Sequence, residues 1–590
     1  MTKEDIEEVE EEEEDEEEDK TRKPDCTFSL LLNKFFHHVD RGSHLRSEVL
    51  SGIVVFLISI CVLFVNMQII GQSILGDLDL STSPADPTSI AAAEQYVAIY
   101  QGSLIVAFLS AILIGLVANL PFVQLSVMGL STSIIGLLGV GNGLTYYNLL
   151  FISWIASIIT AVITGVPVIK RFILKGLPKP LLHALPMLSG AVLILIGVKL
   201  SGFCGEISYS TGSLATNSVF VFSFAMSSLS GAALVAFICS ILAFVAFFIF
   251  RSIKAKHPFA WSFLIGFGLF LCIELVQTAI GGFSTADDKS FINFGRIWLI
   301  AGSQASARTP YGDSYLTYGV SGLQSIFSNL GLVFTKGTDF SAYTGNAFLL
   351  IVGSVLSMVL FNLADPQSIL QASEEDLSEG RELPLDFAGK DSDRLYWINS
   401  GMNFFAPFFG VGMVSFSKTS LVASKDKAKS GIVPIVAAIG YLISIFFMAF
   451  PAIMASSHYV VSSMNEFNYF AYGNGGFVYL VQGLKFGFAD AMLCLIGVVM
   501  IEKSIGLLSK DEKKYLFSAS SLLLALVFSN LAVGIMVSLV VYLLTNLFEC
   551  ERVEGEKHVV TLGKAVAKNV KGIEIPVAVM TGVSILAVAL

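Results

Sequence analysis

Gly410-Val411-Gly412-Met413-Val414-Ser415-Phe416-Ser417-Lys418-Thr419-Ser420 and Pro121-Phe122-Val123-Gln124-Leu125-Ser126-Val127-Met128-Gly129-Leu130 are the two stretches that set the fold. Both lie among apolar spans, yet both read as extended chain. In the earlier one Ser131-Thr132-Ser133 and the apolar run Ile134 to Leu138 follow. Ser and Thr are good N-caps, so a half-helix is expected to begin near Ser131, at membrane depth. The later stretch repeats the device at Ser417 to Ser420. Gly129-Leu130-Ser131-Thr132-Ser133-Ile134 and Phe416-Ser417-Lys418-Thr419-Ser420-Leu421 align at Thr-Ser-apolar, in corresponding places of the two halves. Half-helix N-termini present free N–H groups and partial positive charge to whatever binds between them. A stretch that merely lets helices pack closely is the plainer reading. The presence of a break in both halves weighs against it.

The rest of the chain supplies the membrane setting. It has 590 residues, 54% of them hydrophobic and 14% charged, where a soluble chain carries about 25% charged residues. With a mean hydropathy of +0.73, it reads as a polytopic membrane protein. The formal charge of -11 misleads, because Glu4 to Asp19 holds 14 of the 47 acidic residues. Without residues 1 to 19, 33 acidic and 35 basic residues remain. The tail's acids are interrupted only by Ile6 and Val9, so it reads as a solvated, disordered extension. It lacks the basic start and apolar core of a secretory signal. The seven cysteines are scattered without a CxxC and read as packing residues, not as disulfides or a metal site.

A membrane-crossing helix needs about 20 mostly apolar residues. Such runs recur from Val49 to Phe548, giving about fourteen crossings with spans three and ten broken. Lys and Arg concentrate in cytoplasmic loops. The basic clusters are Lys34 to Arg46, Lys170 to Lys179, Arg251 to Lys256, Lys425 to Lys429 and Lys503 to Lys514; all fall on one side if the N-terminus is inside. The opposite segments Gln72 to Ala98 and Leu200 to Gly231 contain neither residue. Both termini are then cytoplasmic, in a plasma or bacterial inner membrane. The expected division is an acidic tail (1–30), a first repeat of spans one to seven (31–280), an extracellular loop (281–345), a second repeat of spans eight to fourteen (346–550), and a cytoplasmic or membrane-associated tail (551–590). Seven spans per half invert the second repeat, as in secondary transporters, whose sites lie near the midplane. No HExxH, no His/Cys cluster and no nucleophile with a base at motif spacing argues for an enzyme.

Ionisable residues at depth default to functional candidates. Asp365, in Asn362-Leu363-Ala364-Asp365-Pro366-Gln367, could bind a polar ligand, carry a coupling proton, or cap a helix restart at Pro366. Lys418 opposes the macrodipole of the helix start beside it, so it must meet an acid, bind an anion or snorkel outward. An Asp365 to Lys418 pair closing the empty site is the expectation. Secondary candidates are Glu274 in the seventh span, Asp490 in the twelfth, five residues after Lys485, and Asn66 in the first, which reads as a packing hydrogen bonder.

These residues also resemble a family. Ser47-Glu48-Val49-Leu50-Ser51-Gly52, Leu63-Phe64-Val65-Asn66 and Ile69-Ile70-Gly71 resemble the opening of the AzgA-like purine permeases, in the nucleobase-cation symporter 2 (xanthine/uracil permease) superfamily. Gly115-Leu116-Val117-Ala118-Asn119-Leu120-Pro121-Phe122 resembles the start of that group's third span, Gly380-Arg381-Glu382-Leu383-Pro384 its loop after span eight, and Ser529 to Tyr542 its final spans. The resemblance implies an all-α fold of fourteen spans in two inverted sets of seven, core and gate domains, and proton-coupled uptake of hypoxanthine, guanine or adenine. The family's eighth-span aspartate falls on Asp365. Its third-span asparagine is replaced by Ser131, and its tenth-span glutamate lands on Thr419, which removes the carboxylate that would grip a base's N–H edge.

A proton-coupled purine nucleobase symporter is therefore the first reading, with Asp365 binding the base or its proton and Ser131, Thr419, Ser417, Lys418 and the chain at Gly129 completing the site. A site with one acid, one lysine and two helix N-termini also suits an anion. The alternatives are an anion transporter of sulfate or bicarbonate type on the same scaffold and a degenerate, non-transporting membrane protein. The partners expected are a small-molecule substrate, a coupling proton and the lipid bilayer. No nucleic acid, cofactor or metal is expected, and a homodimer stays open.

Overall fold

Long apolar runs become long helices. The computed structural model describes residues 27–75, 101–127, 146–166, 168, 179–200, 205–210, 216–221, 232–255, 257–280, 332–341, 347–379, 385–387, 390–446, 489–508, 550–553 and 556–559. A short helix α1 (Thr27–Phe36) leads into α2 (Leu45–Leu75), and α3 (Gln101–Ala118) ends in a π turn at Ile114–Ala118. Strand β1 (Gln124–Ser126) precedes α4 (Tyr146–Gly165), α5 (Lys179–Leu200), the hairpin β2 (Gly205–Ser210) and β3 (Thr216–Val221), α6 (Ala232–Ser252) and α7 (Pro258–Ile280). The later part holds the one-turn α8 (Leu332–Thr335), α9 (Ala347–Ser378), and α10 (Asp393–Phe405) with a 3-10 turn at Ala406–Phe409. Next come β4 (Val414–Phe416), α11 (Ser420–Lys425), α12 (Ile432–Phe446), α13 (Ala489–Leu508) and the hairpin β5 (Cys550–Val553) and β6 (Glu556–Val559). At about 1.5 Å per residue, helices of 20 to 32 residues such as α2, α4, α5, α6, α7, α9 and α13 reach the roughly 30 Å of a hydrocarbon core. Their outer faces are apolar: on α6, Ile238, Ile241, Leu242, Val245 and Ile249 are exposed at helical spacing. A water-facing helix would carry polar side chains there.

The helices form two groups. α2, α9 and α10 pack against β1, β4 and α11, with α4 against α9 and α10 and α12 against α2, while α5 lies along α13 and α6 along α7; α9 and α5 meet between the groups. At the α5–α13 crossing Gly190 and Gly497 face each other so closely that a Cβ on either would stand 2.5 Å from the other's carbonyl oxygen. α3 and α12 meet in the same reciprocal way at Gly115 and Gly431. Asn119, left-handed at φ 52, closes the π turn by donating its N–H to the Ile114 carbonyl. Its amide then donates to the Phe36 carbonyl and accepts from the Gly431 N–H, at 3.1 and 2.9 Å.

Three differences from the sequence reading have physical causes. First, the fold is not wholly α. β1 and β4 pair antiparallel in the core, Leu125 opposite Ser415. Backbone groups at membrane depth need partners, and two extended pieces crossing there supply each other's. Second, α9 runs unbroken through Pro366, so Asp365 caps no helix restart. Neighbouring groups hold the weakened turn: the Tyr396 hydroxyl donates to the Leu363 carbonyl (2.7 Å) and reaches Gln367 Oε1 (3.1 Å). Third, the helix after the second break, α11, has only six residues. The chain reverses at Lys427, φ 63, after Asp426 and Ala428 return their N–H groups to Val422 and Ala423.

Candidate functional site

The strand pair is held from behind by amides. Asn403 on α10 donates to the Val414 carbonyl (2.7 Å) and accepts from the Val414 N–H (2.9 Å), as a third strand would. Gln124 on β1 donates to Asn399, one helical turn before Asn403 (2.9 Å). At the edge next to α11, the Ser417 N–H donates to the Val123 carbonyl (2.8 Å) and the Val123 N–H to Ser420 Oγ (3.0 Å). These bonds fix where the chain leaves β4, and therefore where Ser417, Lys418 and Thr419 stand.

In front of the strands is a small cavity of about 60 Å³. Its apolar wall includes Val62 of α2, Val192 and Leu193 of α5, and Leu493 and Ile496 of α13. Phe361 of α9 and Phe416 of β4 add two aromatic rings. Lys418 is the only cation among the described residues that line it. Lys418 Nζ lies 2.6 Å from Asp365 Oδ1, the lysine side chain 20% exposed and the aspartate wholly buried. The expected pair is present in this geometry. Asp365 Oδ2 and the hydroxyl of Ser415, which also lines the cavity, have no hydrogen-bond partner among the described residues.

Thr419 and Ser417 line the cavity too, but their hydroxyls are already engaged. Thr419 Oγ1 is 2.8 Å from Ser417 Oγ and 3.0 Å from Ser59 Oγ, and it does not cap α11. With only six residues behind it, the α11 N-terminus is also a much weaker anion site than the half-helix expected there. Gly129 and Ser131 lie outside the described residues. Asn66, Glu274 and Asp490 fall within α2, α7 and the first turn of α13, but their side-chain surroundings lie outside the described residues as well.

The structure adds Ser189, Phe361 and Ser415 to the site. Ser189 Oγ donates to Ser368 Oγ (3.1 Å), which donates to the Asp365 carbonyl (2.7 Å), so α5 and α9 are tied beside the ion pair. The adjacent small residues Ser189-Gly190 were the available signal, a close-approach motif in an apolar span. For Asn403 the signal was Asn399 and Asn403 at helical i, i+4 spacing.

No family model matches the chain, and no curated protein matches its sequence. No sequence match therefore accompanies the resemblance to purine permeases. Among solved structures it is similar to the transmembrane domain of a cyanobacterium bicarbonate transporter BicA, at 11% identity and TM-score 0.43, covering 83% of this chain and 97% of that one. It is similar to SLC26A9, at 11% identity and TM-score 0.40, covering 88% and 69%. It is also similar to the murine Solute Carrier 26 family member A9 anion transporter in the inward-facing state, at 12% identity and TM-score 0.39, covering 88% and 72%.

Proposed function

We propose that this chain is an integral membrane secondary transporter, not an enzyme, and that its substrate is a small anion bound at Lys418. The observation that carries the reading is the Lys418–Asp365 pair in an otherwise largely apolar cavity. A lysine held at depth needs a negative partner. Asp365 is that partner. An anion entering the cavity meets the Lys418 side chain, which is 20% exposed, and can replace the carboxylate. The hydroxyls that would orient a base, Ser417 and Thr419, are occupied by each other and by Ser59. The acid that would grip a base's second N–H is absent at Thr419. Two facing broken elements, one from each half, support an inverted-repeat transporter with a central site.

A purine base with a coupling proton is the second reading. It is favoured by Asp365 Oδ2, which has no hydrogen-bond partner among the described residues, and by the aromatic rings of Phe361 and Phe416 in the cavity wall. Uptake by proteoliposomes of labelled bicarbonate, sulfate, hypoxanthine, guanine and adenine separates the two. For the anion reading, Lys418→Ala abolishes uptake and Asp365→Asn is milder. The reverse ranking, with a base accumulated, would establish the second reading. Absence of uptake for every probe would favour a non-transporting protein.

A further inference from the structure

The wall of the cavity continues toward the lysine-rich end of the molecule, which the loop charges assign to the cytoplasm. On α9 the cavity residues Phe361 and Asp365 are followed on the same face by Ser368, Ala372 and Asp376, at steps of three and four residues. On α13 Leu493 and Ile496 are followed by Met500 and Lys503, and on the oppositely directed α5 Val192 and Ser189 by Leu185. Ser368, Ala372, Met500 and Leu185 are all 1% exposed or less, so a dry layer lies beneath the cavity. Below it, Lys503 Nζ reaches Glu375 Oε2 at 2.9 Å and Asp376 Oδ1 at 2.8 Å, and Lys425 of α11 stands 3.8 Å from the same Asp376 oxygen. Asp376 is eleven residues beyond Asp365, about 16 Å along the helix. That is half of a roughly 30 Å hydrocarbon core, so a midplane Asp365 puts the cluster at the membrane surface.

The pairs at this end differ in what they join. Glu502 of α13 binds Arg251 of α6, inside the group formed by α5, α6, α7 and α13. The next residue, Lys503, crosses to α9 in the other group. We propose that the Lys503–Glu375/Asp376 cluster, over the dry layer of Ser368, Ala372, Leu185 and Met500, is the cytoplasmic gate of the transport path. It holds the two groups together in the state described and must part before substrate leaves on that side. The proposal rests on the chain being a transporter with a central site. Its experiment reads reagent access to the cavity and needs no substrate, so its failure is distinguishable from a failure of the substrate assignment.

In a background with the seven cysteines replaced, Val192→Cys reports on the cavity, and a membrane-impermeant thiol reagent is applied from the Lys503 side. With Lys503 intact the reporter reacts slowly. Lys503→Gln raises the labelling rate about fivefold or more, the lower end of ordinary coupling between two sites. Lys503→Arg keeps the parent rate, because its guanidinium can still bridge both acids. Arg251→Gln removes a charge at the same end but inside one group, and also keeps the parent rate. The gate is overturned if Lys503→Gln labels at the parent rate, or if Arg251→Gln accelerates labelling equally, which would be general loosening of that end.

Discussion

Lys418 and Asp365 illustrate how far single residues can be read. Each alone is costly at depth, and two opposite charges in neighbouring broken or proline-bearing spans are expected to find each other. Their 2.6 Å separation follows from that cost. The hydroxyls were not legible in this way, since Thr419 could face a ligand or another hydroxyl at similar energy, and it faces Ser59 and Ser417. Glu374, in the polar extension of α9, was not legible at all. Burial, with the carboxylates of Asp386 and Asp391 nearby, pushes it up to about 7 from an ordinary 4.5, against a bond from the Phe387 N–H. The folded chain thus holds this proton more tightly than the unfolded chain does. Its contribution to stability is full below about pH 4.5 and is lost as the pH rises through about 7. Glu374→Gln is predicted to melt with the parent at pH 4.5 and above it at pH 8. Differential scanning fluorimetry of both proteins across that range checks the sign; equal melting temperatures at pH 8 would remove the assignment.

At the scale of elements, the apolar runs placed most of the described helices, and the two extended stretches were legible from their glycines, serines and β-branched residues. The continuity of α9 was not, because Pro366 argues locally for a stop, and the Tyr396 hydroxyl that bonds the Leu363 carbonyl in this turn comes from thirty residues on. Likewise, the serine and threonine after β4 announced a helix start but not its early end at Lys425. The α5–α13 crossing gives the element-scale prediction. A methyl on Gly190 would stand 2.5 Å from the Gly497 carbonyl oxygen, a backbone atom that cannot move alone. Gly190→Ala should force the helices apart and cost about 1–3 kcal/mol. Among the described residues nothing lies within 4 Å of a methyl placed on Gly268 of α7. Gly268→Ala should therefore gain the helix propensity that glycine forgoes, about 0.5–1 kcal/mol. Thermal unfolding of the two variants in one detergent checks the opposite signs; a destabilised Gly268→Ala or an unaffected Gly190→Ala would contradict the crossing.

For the whole molecule, loop charge and the repeated break indicated two opposed halves, while the pairings between them were not legible. The reason is that the contacts use the least distinctive residues: Gly115 with Gly431, Gly190 with Gly497, and strand β1 with β4 through main-chain bonds. Each pairing takes one member from the first half of the chain and one from the second. The two helix groups cut across those halves, since α5 from the first lies along α13 from the second, and the cavity sits where this pair faces β1, β4 and α9. Transport by such a molecule requires the groups to move past each other, and Ser189 and Ser368 mark their seam at the level of the site, Oγ to Oγ 3.1 Å. In a background without the native cysteines, Ser189→Cys with Ser368→Cys should form a disulfide under mild oxidant. Uptake of whichever substrate is transported should then stop, and a reductant should restore it. The cross-link adds no charge and leaves the Lys418–Asp365 pair in place, so on the proposed anion reading substrate binding should survive it. If the oxidised protein keeps transporting at the reduced rate, the two groups do not separate at this seam and the alternating motion must be sought elsewhere in the fold.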